Sequence, residues 1–343
     1  MAQELLTRML RLRICHWLSL ALFAAAYPRY LQAGGLEKGW EVDLKKALQS
    51  EHLGRGQSFK VQGLSFSSDG QEVAVLLEGN AAVLRVYDPL TAIRRFQSGF
   101  YDSFGWSPDS QVIHSGGHVV HLADGKSCDL PQFALFPTFM GDRGLLAIFL
   151  ESPSVLPNGK IDFSPPRAAH LRFYDADCKE QDSWEIPARW LIMGASPDRG
   201  LLLVSEVDQH LIVDPFAKKV LHTAPGGRFA DSGSAICAGR GCWDVDTGRR
   251  IGAARVSGEI GDVSTRSSRV VLEDQHAGRR SVWDFRSNQE LVSWQLKFLT
   301  YSFSIDLDGF SRDRRPTPCA ISPDGESILE GGDGKVWLYR IQP

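Results

Sequence analysis

Residues 322–339 read SPDGESILEGGDGKVWLY, and they contain each feature of a unit that recurs along the chain. The first four residues favour a tight turn, because Ser and Asp bond to nearby backbone, Pro presets φ and Gly tolerates the exit conformation. A short apolar run occupies residues 327–329, and an aromatic-rich run occupies residues 336–339. Both runs are too short for helices, so the stretch predicts two β-strands after a turn.

The same turn recurs upstream. Close variants occupy residues 67–70 (SSDG), 107–110 (SPDS) and 196–199 (SPDR), and weaker ones occupy 141–144 (GDRG), 230–233 (ADSG) and 265–268 (TRSS). Self-similarity at a roughly regular period is typical of repeat architectures such as solenoids and propellers.

Apolar runs such as residues 73–77 (VAVLL) and 201–204 (LLLV) follow these turns. They lack polar–apolar alternation, as expected for a strand covered on both faces by neighbouring sheets. A second strand then ends in an aromatic residue and Asp, as at 173–175 (FYD), 242–244 (CWD) and 282–284 (VWD). With the flanking turns this gives four antiparallel strands per repeat, which indicates a propeller.

These turns and aromatic-Asp pairs resemble the WD40-like β-propeller repeats found in many bacterial exported proteins. The resemblance covers about residue 58 to the C-terminus and implies architecture rather than function. The chain departs from the eukaryotic WD40 pattern, because the Gly-His pair expected before each first strand is missing. The one such pair, Gly117-His118, follows an SPDS turn instead. We therefore do not expect this chain to contain the structural hydrogen-bond network of WD40 blades.

We predict an all-β fold, a β-propeller of about seven four-stranded antiparallel blades in a ring closed by an N-terminal strand. The predicted blades are 58–99, 100–132, 133–187, 188–227, 228–257, 258–297 and 316–343. The last repeat ends after its third strand, and an unpaired edge there would invite aggregation. Residues 40–44 (WEVDL) alternate and are the candidate fourth strand. The alternative is a helix, since Leu36, Trp40, Leu44 and Leu48 also share one helical face.

The N-terminus resembles a targeting segment. Arg8, Arg11 and Arg13 precede an apolar run at residues 14–26, which ends in Ala-Ala-Ala. The run is shorter than the ~20 residues of a membrane-spanning helix, so residues 1–33 are predicted to be a secretory signal peptide. An uncleaved N-terminal membrane anchor is the alternative. Residues 34–343 then form one propeller, outside the cytoplasm, in the periplasm, at the cell surface or secreted.

The composition is that of a globular protein, with 43% hydrophobic and 23% charged residues among 343 and a formal net charge of −3. This charge supplies no basic field for nucleic acid and no polybasic patch for a membrane. We therefore predict no nucleic-acid partner and no membrane contact beyond the N-terminal anchor alternative. We also predict a monomer.

Cysteine spacing gives one candidate disulfide. Cys237 and Cys242 flank the turn-forming residues Ala-Gly-Arg-Gly and would face each other across a hairpin. The alternative is a pair of buried thiols. Cys128, Cys178 and Cys319 stand alone, and the odd count beyond residue 33 argues against a disulfide framework. None of the spacings matches a zinc site.

Two insertions interrupt the repeats, near residues 152–169 and 297–318. Long loops on a rigid scaffold often carry binding, although a neutral insertion is the alternative. The second insertion contains Arg312, Arg314 and Arg315, our candidate partner-binding loop, against the alternative of a solvated loop.

Signals for catalysis are weak. The chain has no nucleophile elbow, phosphate loop, dinucleotide fingerprint or H-E-x-x-H motif. Three clusters contain side chains that can ligate a metal, but each fits a structural role better: His114, His118 and His121; Asp306, Asp308 and Asp313; and Asp175, Asp177 and Asp182. We predict no catalytic residue, no cofactor and no metal.

The function that we predict is non-catalytic binding or scaffolding of an unidentified protein partner. The alternative is a propeller hydrolase, lactonase-like and in one version metal-dependent, with its site at the mouth of the central channel. That alternative needs carboxylate, Asn or His side chains that converge on the axis, whereas the carboxylates here coincide with the repeat turns.

Overall fold

In the computed structural model the described residues are 35–49, 60–77, 80–85, 94–96, 104–115, 117–131, 134–141, 144–150, 168–196, 198–254, 258–296, 302–306, 309–313, 316–332 and 334–342. They begin with strand β1 (Leu36–Asp43), which the helix α1 (Leu44–Gln49) follows directly. The described residues include no helix with the length and apolar character needed to span a bilayer.

Six four-stranded antiparallel sheets are each formed by four consecutive strands. Blade 1 contains β2 (Val61–Phe66), β3 (Glu72–Leu77), β4 (Asn80–Arg85) and β5 (Arg94–Phe96). Blade 2 contains β6 (Phe104–Trp106), β7 (Val112–Ser115), β8 (His118–His121) and β9 (Ser127–Asp129). Blade 3 contains β10 (Ala134–Phe139), β11 (Leu145–Leu150), β12 (Ala168–Tyr174) and β13 (Glu180–Pro187).

The next three blades follow the same order. Blade 4 contains β14 (Trp190–Ser196), β15 (Leu201–Glu206), β16 (Gln209–Asp214) and β17 (Lys219–Ala224). Blade 5 contains β18 (Arg228–Ala230), β19 (Ala235–Ala238), β20 (Gly241–Asp244) and β21 (Arg250–Ala253). Blade 6 contains β22 (Glu259–Val263), β23 (Arg269–Asp274), β24 (Arg279–Asp284) and β25 (Gln289–Gln295). A two-stranded hairpin, β26 (Ser302–Asp306) and β27 (Gly309–Asp313), comes next.

The remaining four-stranded sheet joins the two ends of the chain. Blade 7 contains β28 (Cys319–Ile321), β29 (Ser327–Gly331) and β30 (Lys335–Ile341), and β1 pairs antiparallel with β30 as its outer strand. The pairing runs from Leu36 opposite Ile341 to Asp43 opposite Lys335. The predicted all-β propeller closed by an N-terminal strand is thus confirmed. The helical alternative applies only from Leu44 onward, where α1 begins.

Charged side chains hold the closing strand in place. Glu41 on β1 accepts hydrogen bonds from Lys335 on β30 at 2.6 Å and from Lys38 at 2.7 Å. These two ammonium groups lower the pKa of Glu41 to about 2. A carboxyl whose pKa is lowered by folding stabilises the fold above its ordinary pKa. This contribution is therefore lost as the pH falls towards 2.

The interior consists of separate apolar layers between neighbouring blades. Within the described residues there are seven such clusters, one for each pair of neighbours around the ring, including blades 7 and 1. In the last of these interfaces Leu329 and Val336 pack with Val61 and Val75. The second strands are covered on both faces, which explains their unbroken apolar runs.

The Ser-Pro-Asp-Gly turns are structural. Ser67 donates to the carboxylate of Asp69 at 2.6 Å, and its hydroxyl accepts the amide of Glu72 at 2.8 Å. The turns at residues 107–112 and 322–327 repeat this arrangement. Neighbouring turns also bond to each other, as where Ser68 donates to the carbonyl of Ser107 at 2.9 Å. The turns therefore align the blades along one face of the ring.

Two disulfides are present in the described residues. Cys237 and Cys242 pair directly across the β19–β20 hairpin and are bridged, as the candidate pairing proposed. Cys128 on β9 is bridged to Cys178 in the turn between β12 and β13, so the expectation that these two cysteines stand alone was wrong. Their 50-residue separation hides the pairing, because the propeller brings the outer edges of blades 2 and 3 together.

We expect the two disulfides to differ in their effect on stability. The Cys128–Cys178 bridge closes a loop of 50 residues and the Cys237–Cys242 bridge a loop of 5. Loop-closure entropy then predicts losses of about 4 and about 2 kcal/mol when the respective pair is replaced by alanine. Urea unfolding of the two double variants measures the difference, with the reduced wild-type protein as the control. Equal losses would contradict the loop-length argument.

Candidate functional site

Alternating strand directions give the propeller two faces. The SPDG face carries the turns between the first and second strands of each blade, such as residues 67–70 and 322–325. The opposite face carries the turns between second and third strands and the connections between blades. Both long insertions leave from this second face, which we call the insertion face. One joins β11 to β12 within blade 3, and the other, with the β26–β27 hairpin, joins blade 6 to blade 7.

Blade 5 is shorter than the blades on either side. Its strands contain three or four residues, whereas those of blade 4 contain six or seven and those of blade 6 contain five to seven. At the SPDG face the ends of blades 4, 5 and 6 are level. Arg199 of blade 4 donates to the carbonyl of Gly233 at 3.5 Å, and the amide of Ser232 donates to the carbonyl of Thr265 at 2.5 Å. The difference in strand length therefore falls at the insertion face. There the strands of blade 5 are about two residues shorter than those of its neighbours, which leaves a depression about 7 Å deep. We call this depression the blade 5 notch.

The floor of the notch is the turn between β19 and β20, with the Cys237–Cys242 disulfide directly beneath it. The chain enters blade 5 through Gly227, whose φ of 144° is in a region that side chains rarely adopt. A Cβ atom there would lie 2.2 Å from the carbonyl oxygen of Cys237. Glycine is required at this position, because it lets the connection pass close to the clamped hairpin.

A cavity of about 500 Å³ opens on the blade 6 side of the notch. Gly239 and Arg240 contribute from blade 5, and Glu259, Glu273 and His276 contribute from blade 6. Glu259 and Glu273 are directly opposite each other on β22 and β23. Like charges in this arrangement disfavour each other unless a cation lies nearby.

Glu273 has such a cation on the adjacent strand. Arg280, 1% exposed, donates through Nε to Glu273 at 2.8 Å and through Nη1 to Glu330 of blade 7 at 3.2 Å. The same guanidinium donates to the hydroxyl and carbonyl of Thr317, and Trp294 donates to Glu330 at 2.7 Å. The cavity wall is thus continuous with a buried polar network between blades 6 and 7.

Burial and charge set the protonation of this network. Burial works to lower the pKa of Arg280, but the carboxylates of Glu273 and Glu330 raise it overall. Burial also raises the pKa of the Cys319 thiol, which keeps that thiol protonated. Asp262 on β22 has a pKa raised by burial, although Arg228 pairs with it at 3.0 Å and the amide of Ile321 donates to it at 2.9 Å.

The blade 4 side of the notch is apolar. Leu191 and Met193 on β14 are 48% and 50% exposed, and Val207 in the β15–β16 turn is 72% exposed. Leu191 and Met193 alternate with Trp190 and Ile192, which are buried against blade 3. The short β18 strand leaves the other side of β14 uncovered.

The arginines predicted to bind a partner are placed only in part. Arg312 lies on β27, opposite Phe303, in the hairpin of the second insertion. Arg314 and Arg315 lie outside the described residues. That these three arginines form a partner-binding loop stays a prediction.

The histidines do not converge on a single site. His114 pairs with Val119 across the β7–β8 hairpin, as predicted, and lies beside Phe139 with ring centroids 5.5 Å apart. His118 is 2.8 Å from Asp129, whereas His121 is 2.9 Å from the carbonyl of Ala176. Each ring thus has a different partner.

The two acidic groups also have structural positions. Asp306 lies at the turn end of the β26–β27 hairpin and Asp313 at its open end, four residues or about 13 Å apart along the strands; Asp308 lies outside the described residues. Asp175 accepts the amides of Asp177 and Lys179 within a turn, and Asp182 accepts a hydrogen bond from Lys218 at 3.2 Å. No group of three His, Cys, Asp or Glu side chains that could hold a metal occurs in the described part of the chain.

The side chains of the notch were not predicted. No motif marks Glu259, Glu273, Arg280 or Leu191, because each fits an ordinary strand pattern. One signal in the sequence is repeat length. The predicted repeat at residues 228–257 is the shortest, apart from the incomplete last repeat at residues 316–343. A short repeat between long ones predicts a depression in the surface of the ring.

The chain is a β-propeller with an open surface on its insertion face. It is similar to a solved chain in "Crystal Structure of Mitotic Checkpoint Complex", with a TM-score of 0.55 and 14% identity over 90% of this chain and 93% of that one. At this identity the similarity shows the fold alone. No family model matches the sequence, and no curated protein matches it either.

Proposed function

We propose that this protein is a non-catalytic binding propeller, of the bacterial exported WD40-like type, that engages a protein partner on its insertion face. The observation that carries the proposal is the blade 5 notch, an opening with one apolar wall and one charged wall at the face from which both insertions leave. Interfaces commonly combine an apolar centre with a polar rim.

A location outside the cytoplasm is part of the proposal. Disulfides persist in oxidising compartments and are rare in the cytosol, and two occur here. The signal-like residues 1–33 supply an export route. The similar solved chain belongs to an assembly of proteins, which supports protein binding as a use of this fold. We propose that the free protein is a monomer.

Site-specific photo-cross-linking tests the proposal in cells that produce the full chain. A photoreactive residue replaces Gln275 at the insertion face or Glu326 at the SPDG face, both of which are exposed. We expect one protein adduct with the Gln275 probe and none with the Glu326 probe. Adducts of equal yield at both positions, or none at either, would contradict binding at the insertion face.

A hydrolase readout accompanies this experiment. No observation in the described residues favours the lactonase-like alternative. Hydrolysis of lactone or ester substrates by the purified chain, abolished by a chelator, would overturn the non-catalytic assignment.

A further inference from the structure

We infer that the blade 5 notch receives an extended segment of the partner in which an apolar side chain is followed, within about six residues, by Lys or Arg. This inference rests on the proposed function, and it specifies the chemistry of the bound segment. Four observations carry it: the apolar wall, the charge balance, the glycine-lined floor and the width of the notch.

The apolar wall is concentrated on one blade. Among the residues whose burial the structure describes, all of the large apolar side chains that are exposed belong to blade 4. Leu191, Met193 and Val207 lie on its inner strand or its insertion-face turn, whereas Val220 and Leu221 lie on its outer strand. Exposed apolar residues scattered singly need no explanation, but a group at one position marks an interaction site. The first three would cover an apolar side chain of the partner.

The charges around the notch differ from one side to the other: carboxylates line the blade 6 wall, whereas the guanidinium groups of Arg240 and Arg250 lie at the blade 5 floor. Three arginines near the notch form ion pairs: Arg189 with Glu206, Arg228 with Asp262, and Arg280 with Glu273. The other carboxylates at the rim include Asp208 and Glu259, and at the floor the guanidinium of Arg250 donates to the carbonyl of Arg240 at 3.3 Å. Among the described residues neither Glu259 nor Asp208 has an ion-pair partner. Complementary charge selects the partner, so the blade 6 wall beside Glu259 favours a basic side chain.

The floor suits a main chain. Gly239, Gly258 and Gly261 line the cavity without side chains. A Cβ atom on Gly261 would lie 2.7 Å from Cγ of Glu273, so glycine keeps this side of the cavity open. Arg240 is exposed at the floor and can donate to the carbonyl oxygens of an extended segment.

The width of the notch sets the spacing. Packed sheets lie about 10 Å apart, so the facing walls of blades 4 and 6 are about 20 Å apart. An extended chain covers this distance in about six residues. An apolar residue on the blade 4 wall therefore places a basic residue of the same segment beside Glu259 when the two are up to six residues apart.

A random dodecamer peptide library displayed on phage tests the inference against the full chain. We expect recovered peptides to pair an aliphatic or aromatic residue with Lys or Arg within six positions. Fluorescence anisotropy then measures the affinity of the best peptide for variants. Glu259→Lys and Val207→Asp are each expected to weaken binding about tenfold, the loss of one good contact. The matched controls Glu326→Lys on the SPDG face and Val220→Asp on the outer strand are expected to leave binding unchanged.

The outcomes separate the inference from the proposed function. Peptides without the apolar–basic pair, no recovered peptide, or equal effects of notch and control variants would overturn the inference. The cross-linking at Gln275 would still decide whether a partner binds at the insertion face. An adduct there without the peptide preference leaves the proposed function in place and removes only this inference.

Discussion

Replacing Arg280 with methionine is expected to lower the free energy of unfolding by about 3–5 kcal/mol, because it leaves two carboxylates near or within the core without their cation. Arg280 and Glu330 are each 1% exposed, and Glu273 shares the same guanidinium. Methionine fills similar volume, so the loss reports the missing charge rather than a cavity. Urea unfolding monitored by tryptophan fluorescence gives the change.

The adjacent arginine provides a matched control. Arg279 lies on the same strand and pairs with Glu290, but its side chain is partly exposed. Replacing Arg279 with methionine should cost at most about 1 kcal/mol, since solvent screens such pairs. Adding Glu330→Gln to Arg280→Met should recover part of the loss, because it removes a buried charge and leaves an acceptor for Trp294. Equal effects of the two arginine replacements would show that the network does not stabilise the ring.

Deleting residues 1–43 is expected to remove a large part of the 5–15 kcal/mol that typically stabilises a folded domain. The deletion takes away β1, exposes the edge of β30 along its length and removes the buried side chain of Val42 from the blade 7 and blade 1 cluster. An exposed edge also pairs with other chains. Thermal unfolding and light scattering should therefore show a lower midpoint together with association.

Deletion of residues 1–34 is the control, since it retains β1, and its unfolding midpoint should match that of the full chain. A synthetic peptide of residues 35–43 should raise the unfolding midpoint of the longer deletion, because it can pair with the open edge of β30. If the two deletions unfolded at the same midpoint, closure by β1 would not stabilise the propeller.

Much of the fold could be predicted because its determinants are local. Residues 67–72 and 322–327 form the same turn from their own side chains. The missing fourth strand of the last repeat required a partner from elsewhere, and residues 40–44 had the alternation to supply it. The candidate site could not be predicted in this way, because Glu259, Arg280 and Leu191 acquire their roles from how neighbouring strands and blades pack beside them.

The amino-acid sequence by itself determined the repeat and the covered strands, since turn chemistry and apolar runs act within a few residues. It left a strand and a helix open for residues 40–44, and pairing with β30 decided for the strand that closes the ring. Tertiary structure alone decided the Cys128–Cys178 bridge, the burial of Arg280 between blades 6 and 7, and the notch above blade 5. Each of these depends on which blades are neighbours and on how far each strand extends beside the next. Such relations are set by packing across the ring, where residues far apart in the chain come into contact.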